Sequence, residues 1–183
     1  MALAAMEKKK YTYEDYLKMP DDQRYELIEG DLLMTPSPVT KHQRVLRKLA
    51  VVLENHASTH DFGEVFFAPY DVYLDNMNVV QPDILFVSKE RLNIIGEKNI
   101  QGAPDLVIEI LSESTAYRDL VQKKKLYARH GVIEYWIVDP MEETVDIYLL
   151  KDMAYVLART CKKNDLFESE YLQGLKIELN RIF

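Results

Sequence analysis

Between Asp105 and Asp139 two nearly continuous apolar runs, "LVIEIL" and "EYWIV", flank a stretch whose apolar residues recur at helical spacing. Strand, helix and strand in this compass form a βαβ unit, and its crossover length makes the two strands parallel. Runs without alternating polar residues suit strands covered on both faces. The fold class is therefore α/β (or α+β), with a mixed central sheet flanked by helices. One residue breaks the pattern. Glu109 stands inside "LVIEIL", where an ionised carboxylate costs several kcal/mol unless it is paired, hydrogen-bonded or bound to a cation.

The remaining segments build outward from this unit. Tyr11–Met19 predicts a short helix capped by Thr12 and stopped before Pro20. "RYELIEGDLLM" predicts a tight hairpin turning near Gly30, followed by a proline-rich loop. From Thr40, a plausible N-cap, to about His56 the residues Val45, Leu46, Leu49, Val52 and Leu53 mark an amphipathic helix. "GEVFFAPYDVYL" and "VVQPDILFVS" read as two strands joined by a turn at Asp75–Asn78. The crossover helix spans about Thr115–Arg129 and ends at His130 and Gly131. "TVDIYLL" returns from the last core strand as a hairpin through Met141–Glu143, and further strands are added at the C-terminal end.

With 183 residues, residues 11–183 fit a single domain with a substantial core. Residues 1–10, "MALAAMEKKK", place an apolar piece before three lysines, the reverse of a signal peptide, and read as a disordered tail. No apolar run approaches the roughly 18 residues that span a bilayer. A single cysteine, Cys161, excludes an internal disulfide and fits a reducing cytoplasm. The net charge of −7 argues against broad, non-specific DNA affinity but leaves room for a local basic groove.

A second acid, Asp83, lies in the apolar run "VVQPDILFVS". Asp105 and Glu109 lie roughly 13 Å apart along one strand, too far to share an ion, so Asp105 reads as a strand-start or capping residue. Across paired strands the separation falls to about 5 Å between Cβ atoms. If the strands of Asp83 and Glu109 pair, the two acids repel, raising at least one pKa, unless a divalent cation lies between them. Oxygen ligands on a rigid sheet, with positions open to water and phosphate, describe a magnesium (or manganese) site. In the run Lys123–Lys125 only Lys123 is centred on an apolar stripe, three residues from Leu120 and Leu126 and four from Tyr127. Its ammonium is either a snorkelling head group or part of the same site. Trp136, Tyr135 and Tyr25 read as core.

Asp83 after Pro82, Glu109 on a further strand and a nearby lysine resemble the PD-(D/E)xK nuclease superfamily, the restriction-endonuclease-like fold. The usual third position, two residues after Glu109, holds Leu111. The succession "RYELIEGDLLM", "KHQRVLRKL", "VVQPDILFVS", "PDLVIEILSEST" and "RDLVQKKKLYARHGVIEYWIVDP" is similar to the Uma-two family. That resemblance implies Asp83 and Glu109 as metal ligands and Lys123 as a displaced lysine that assists the attacking water. His42, on the apolar stripe of the first long helix, is a core or capping histidine or, since the family also has a histidine here, a support for the site or a contact to the substrate phosphate. Glu26 matches the family's acid before the Gly30 turn and could add a metal ligand or a base; Glu29 beside it is a turn residue.

The expected activity is magnesium-dependent hydrolysis of phosphodiester bonds in DNA by a cytoplasmic homodimer, two-fold symmetry suiting the cutting of both strands. RNA is a third possibility that nothing in the sequence separates from DNA. A rival expectation, motivated by Leu111 and the acidic balance, is a catalytically degenerate nuclease fold kept as a binding or oligomerisation module.

Overall fold

The computed structural model describes residues 9–20 and 22–183. Most of the expected tail, residues 1–8, falls outside the described residues. Lys10 already donates to Asp31 across 3.3 Å. The first helix, α1 (Tyr13–Tyr16), is shorter than expected. Lys18 and Met19 close three-residue turns onto the Asp15 and Tyr16 carbonyls, which tightens the chain out of α geometry before Pro20. Strands β1 (Tyr25–Ile28) and β2 (Asp31–Met34) form the expected hairpin. Glu29 and Gly30 both adopt left-handed backbone (φ 51° and 76°), as a two-residue turn matched to strand twist requires.

Helix α2 (Thr40–His60) runs four residues past the expected end. Val39 rather than Thr40 is its cap, because the Val39 carbonyl already accepts the Gln43 amide. Its stripe of Val45, Leu46, Leu49, Leu53 and Ala57 is buried.

The two long strands expected between residues 63 and 88 are each broken into two. Strands β3 (Gly63–Phe67) and β4 (Asp71–Asp75) are separated at Ala68–Tyr70, and β5 (Asn78–Val80) and β6 (Ile84–Ser88) at Gln81–Asp83. Proline supplies no ladder donor, and each break contains one, Pro69 and Pro82. The outcome is one bent hairpin serving two sheets: β4 pairs with β5 in one, β3 with β6 in the other.

After a 3₁₀ turn at Lys89–Ile94 come β7 (Asn99–Gln101) and β8 (Leu106–Ile110). Helix α3 (Lys124–His130), entered through a π-helical segment over Arg118–Lys123, then leads to β9 (Glu134–Asp139). β8 and β9 pair in parallel, Leu106 opposite Glu134 and Ile110 opposite Val138, as the crossover demanded. β10 (Thr144–Lys151) returns antiparallel to β9, and β11 (Ala154–Lys162) pairs antiparallel with β10. β12 (Leu166–Glu168) and β13 (Lys176–Glu178) form a separate ribbon. The six-stranded sheet has the order β11-β10-β9-β8-β6-β3, and a five-stranded sheet runs β2-β1-β5-β4-β7. The architecture is the expected mixed α/β one.

The six-stranded sheet is apolar on both faces. Ile84, Phe86, Leu106, Ile108 and Trp136 meet α2 and the C-terminal ribbon, while Leu85, Val87, Val107, Tyr135 and Ile137 meet α3 and the second sheet. Trp136 and Tyr135 are core as expected; Tyr25 is only half-buried, its hydroxyl donating to Gln23. Cys161 is a free, buried thiol. Among the described residues no helix is long and apolar enough to cross a membrane.

Gly63 starts β3 at φ +143°, and a Cβ there would run into the Val87 carbonyl oxygen and the Lys89 amide. Gly63→Ala is expected to lower stability by about 2 kcal/mol or more. Urea unfolding checks this through a lower midpoint at unchanged slope.

Candidate active site

β6 and β8 are antiparallel neighbours with Ile84 opposite Ile108, so one further step places Asp83 beside Glu109. The expected adjacency is present, with one correction. Asp83 does not lie within a strand but in the corner between β5 and β6, where the break at Pro82 ends the ladder. The corner leaves its carboxylate free for other partners. Asp83 Oδ2 accepts the Ile110 amide at 2.7 Å and lies 3.1 Å from His42 Nε2. His42, buried on α2, therefore supports Asp83. Asp105 is fully buried and accepts the Ser88 amide (2.8 Å) and Arg91 Nη1 (2.7 Å), the structural role expected of it.

Glu109 shares the α3-side face of β8 with Val107, and Lys123 meets it there. Lys123 Nζ lies 2.7 Å from Glu26 Oε1, 2.9 Å from Glu109 Oε1 and 3.5 Å from Asp119 Oδ1. The lysine side chain is 4% exposed. The snorkelling alternative is thus excluded. The expected stripe needs correction too, because Leu120 is 41% exposed while Asp119 is buried. A π-helical segment turns less per residue than an α-helix, so the residue three before Lys123 rotates off its face and the residue four before rotates onto it. Lys125 is exposed as expected, and Lys124 is half-buried with its ammonium 3.5 Å from the Tyr148 ring centre.

Further donors fix the carboxylates. Glu26 Oε1 accepts the Gln81 amide (2.9 Å), and Glu26 Oε2 accepts Arg118 Nη1 (2.9 Å). Tyr127 donates its hydroxyl to Glu109 Oε1 at 2.7 Å. The buried Tyr135 hydroxyl donates to the Asp119 carbonyl at 3.0 Å, which holds the π-helical segment from below.

Four acids, Glu26, Asp83, Glu109 and Asp119, thus gather around one ammonium and one guanidinium. Burial opposes charge on Lys123, but Glu109, Glu26 and Asp119 outweigh it and hold its pKa well above the ordinary lysine value. Burial also works against ionised Glu26, yet Lys123, the Gln81 amide and Arg118 bring its pKa below the usual range. Glu109 has no such surplus. Burial, together with Asp119, Asp83 and Glu26, overrides Lys123 and lifts its pKa well above normal. Asp119 is pushed up to about 6, by burial first and then by Glu26 and Asp83 against the pull of Lys123. The cluster lacks positive charge, and Glu109 and Asp119 carry the shortfall.

A cavity of about 530 Å³ opens onto this cluster, lined among others by Glu26, Asp83, Glu109, Asp119 and Lys123. Three buried polar atoms of its lining residues, Thr35 Oγ1, His42 Nδ1 and Gln81 Oε1, have no hydrogen-bond partner among the described residues. Among the described residues no group of three or more His, Cys, Asp or Glu side chains stands in metal-binding geometry. The acids nevertheless suit a hard divalent cation. Among the described residues both bonds to Glu109 fall on Oε1 and both to Asp83 on Oδ2, so Glu109 Oε2 and Asp83 Oδ1 are left over where the corner before β6 meets β8.

Leu111 sits half-buried against the α3-side core, with its amide donating to the Val138 carbonyl. Sequence reasoning overlooked Arg118, Asp119, Gln81 and the hydroxyl of Tyr127. Asp119 was recoverable from its i, i+4 relation to Lys123. Arg118 and Gln81 carry no local signal, since their partner Glu26 is 92 and 55 residues away.

The acid-lined cavity lies beside a mixed sheet on a βαβ crossover, an α+β architecture. A crystal structure titled as that of a putative nuclease belonging to DUF820, from Anabaena variabilis ATCC 29413, shares the fold. Its TM-score is 0.77 at 22% sequence identity, covering 94% of this chain and 97% of that one. The chain belongs to the Uma2 family, described as "Putative restriction endonuclease", whose model matches residues 13–180. The family resemblance drawn from the sequence is thereby met. No curated protein matches the chain.

Two measurements test the cluster. Lys123→Ala strands three buried carboxylates and should cost about 3–5 kcal/mol, whereas Lys125→Ala on the exposed face should stay within about 0.5 kcal/mol. Chemical denaturation of both variants decides it. Asp119 binds its proton more tightly folded than unfolded, so its stabilising contribution is complete below about pH 4 and is lost as pH rises through about 6. Without divalent ions, unfolding free energy should fall across that window by on the order of 2 kcal/mol. Asp119→Asn should flatten the decline in a pH series of urea titrations.

Proposed function

We propose that the protein is a metal-dependent nuclease hydrolysing phosphodiester bonds in nucleic acid, DNA in the first instance. One observation carries the reading: the Lys123 ammonium is buried among Glu26, Glu109 and Asp119, with Asp83 one register step away, on the wall of a single cavity. Family membership supports it. In this reading Asp83 and Glu109 hold Mg²⁺ (or Mn²⁺), with the adjacent carboxylate oxygens and the charge shortfall as the reasons they fit. When bound, the ion supplies polarisation of the phosphoryl oxygens and a lowered water pKa.

The chain's own groups do the rest. Lys123 stays protonated through neutral pH, so it assists the attacking water by orienting it and stabilising developing negative charge, not by accepting its proton. Glu26, fixed by Arg118 and the Gln81 amide, positions that ammonium. His42 orients Asp83, and Tyr127 orients Glu109. The water oxygen bonds to phosphorus as its proton passes to solvent, the bond to the leaving oxygen breaks, and that oxygen takes up a proton from solvent. A single site per chain suffices for one strand. Cutting both strands of a duplex would call on two copies, most simply a two-fold homodimer.

A second reading rests on a specific observation: Lys123 and Tyr127 already satisfy Glu109 Oε1 without any ion. On that reading the network is structural and the fold a binding module. Thermal melting separates the two. Mg²⁺ or Mn²⁺ should raise Tm of the wild type and not of Asp83→Asn, because only a folded site binds the ion. With labelled DNA and Mn²⁺, Asp83→Asn and Glu109→Gln should lose at least about 100-fold in cleavage rate. No shift in Tm and equal cleavage in all three proteins would sink the enzymatic reading.

A further inference from the structure

We infer that the cavity takes in an unpaired nucleotide, so that the substrate is a single strand or an extruded nucleotide rather than an intact duplex. The inference rests on the phosphodiesterase reading for its chemistry and goes beyond it in naming the substrate's form. The reacting groups are enclosed: Glu26, Glu109 and Lys123 are each at most 4% exposed. A duplex is a stiff rod that carries its phosphates on the outside, and smooth bending through tens of degrees costs several kcal/mol. A phosphate at the foot of this cavity must therefore bring its own nucleotide in with it. The volume of about 530 Å³ lies in the range, about 300–1,000 Å³, that encloses a compact organic ligand, and a nucleotide unit is of that size.

The lining has the chemistry for a base and not for a phosphate rail. It carries six acids, including Glu113 and Asp139, against three cations, Arg24, Lys41 and Lys123. Tracking a duplex backbone requires the reverse balance. Pro36, Pro38, Val39, Leu111 and Met141 supply apolar wall, and Val39 and Met141 are also 64% and 70% exposed, which places them at the mouth. Thr35, Gln81 and His42 belong to the same lining and bring it a hydroxyl, an amide and an imidazole. Uncharged donors and acceptors in an apolar slot are what reads the edge of an unstacked base.

The test offers oligonucleotides of one sequence, with Mn²⁺, as single-stranded DNA, single-stranded RNA, a full duplex and a duplex with one unpaired nucleotide. Substrates with unpaired nucleotides should show kcat/KM at least 10-fold above the full duplex, and the DNA and RNA arms identify the sugar. Thr35→Val should reduce that preference about five-fold or more, because it removes a hydroxyl from a lining residue while keeping the branched shape of the side chain. Fluorescence anisotropy with Asp83→Asn gives a readout independent of cleavage, the single strand binding at least 10-fold tighter than the duplex. Preferential binding without cleavage by the wild type would keep this inference and remove the hydrolytic reading. Equal handling of duplex and single strand in both assays would overturn the inference and leave a nuclease of ordinary duplexes.

Discussion

One buried ammonium joins three parts of the molecule at a single point. Lys123 arrives from the crossover helix, Glu109 from the six-stranded sheet and Glu26 from the five-stranded one. Removing such an ion from water costs several kcal/mol, and only close, multiple partners recover it. The three carboxylates do so, and the arrangement consequently admits few alternatives. A helix wound differently, or a hairpin shifted by one residue, would strand charge in a core. Networks of this kind specify geometry more than they add stability, which suits groups that must be aimed at one point.

The backbone that aims them is uneven in regularity. β8 and β9 are ordinary parallel strands in an apolar sheet, and α2 is a regular amphipathic helix. Irregularity is concentrated where the acids and the ammonium sit: the corner at Gln81–Asp83 frees one carboxylate from the ladder, and the π-helical segment turns Asp119 and Lys123 onto one face. Local departures from regular structure of this sort gather at working sites.

That distribution decides what the sequence could reveal. The crossover, its parallel pairing, both tight hairpins and the long helix arise from periodicity and turn chemistry, and each was legible. Asp83, Glu109 and Lys123 stood out because each interrupts an apolar pattern. The splitting of the two long strands was foreshadowed by Pro69 and Pro82, but which sheet each half joins is a tertiary matter. Leu120 was misplaced because a wheel drawn at 100° per residue assumes α winding, and no local residue type announces the extra residue in the turn. Glu26 was visible only through resemblance. Its partners Arg118 and Gln81 come from distant segments, and such pairing leaves no trace in the order of residues.

Leu111 is apolar, and the ammonium beside Glu109 comes from a helical segment, not from the sheet. An aliphatic side chain at that position lets β8 keep one more packed residue and one more link to its parallel neighbour. The charge beside Glu109 belongs to the π-helical segment leading into α3. Strand packing and the charge beside it therefore sit on separate elements, and a substitution at Leu111 would touch the one without removing the other.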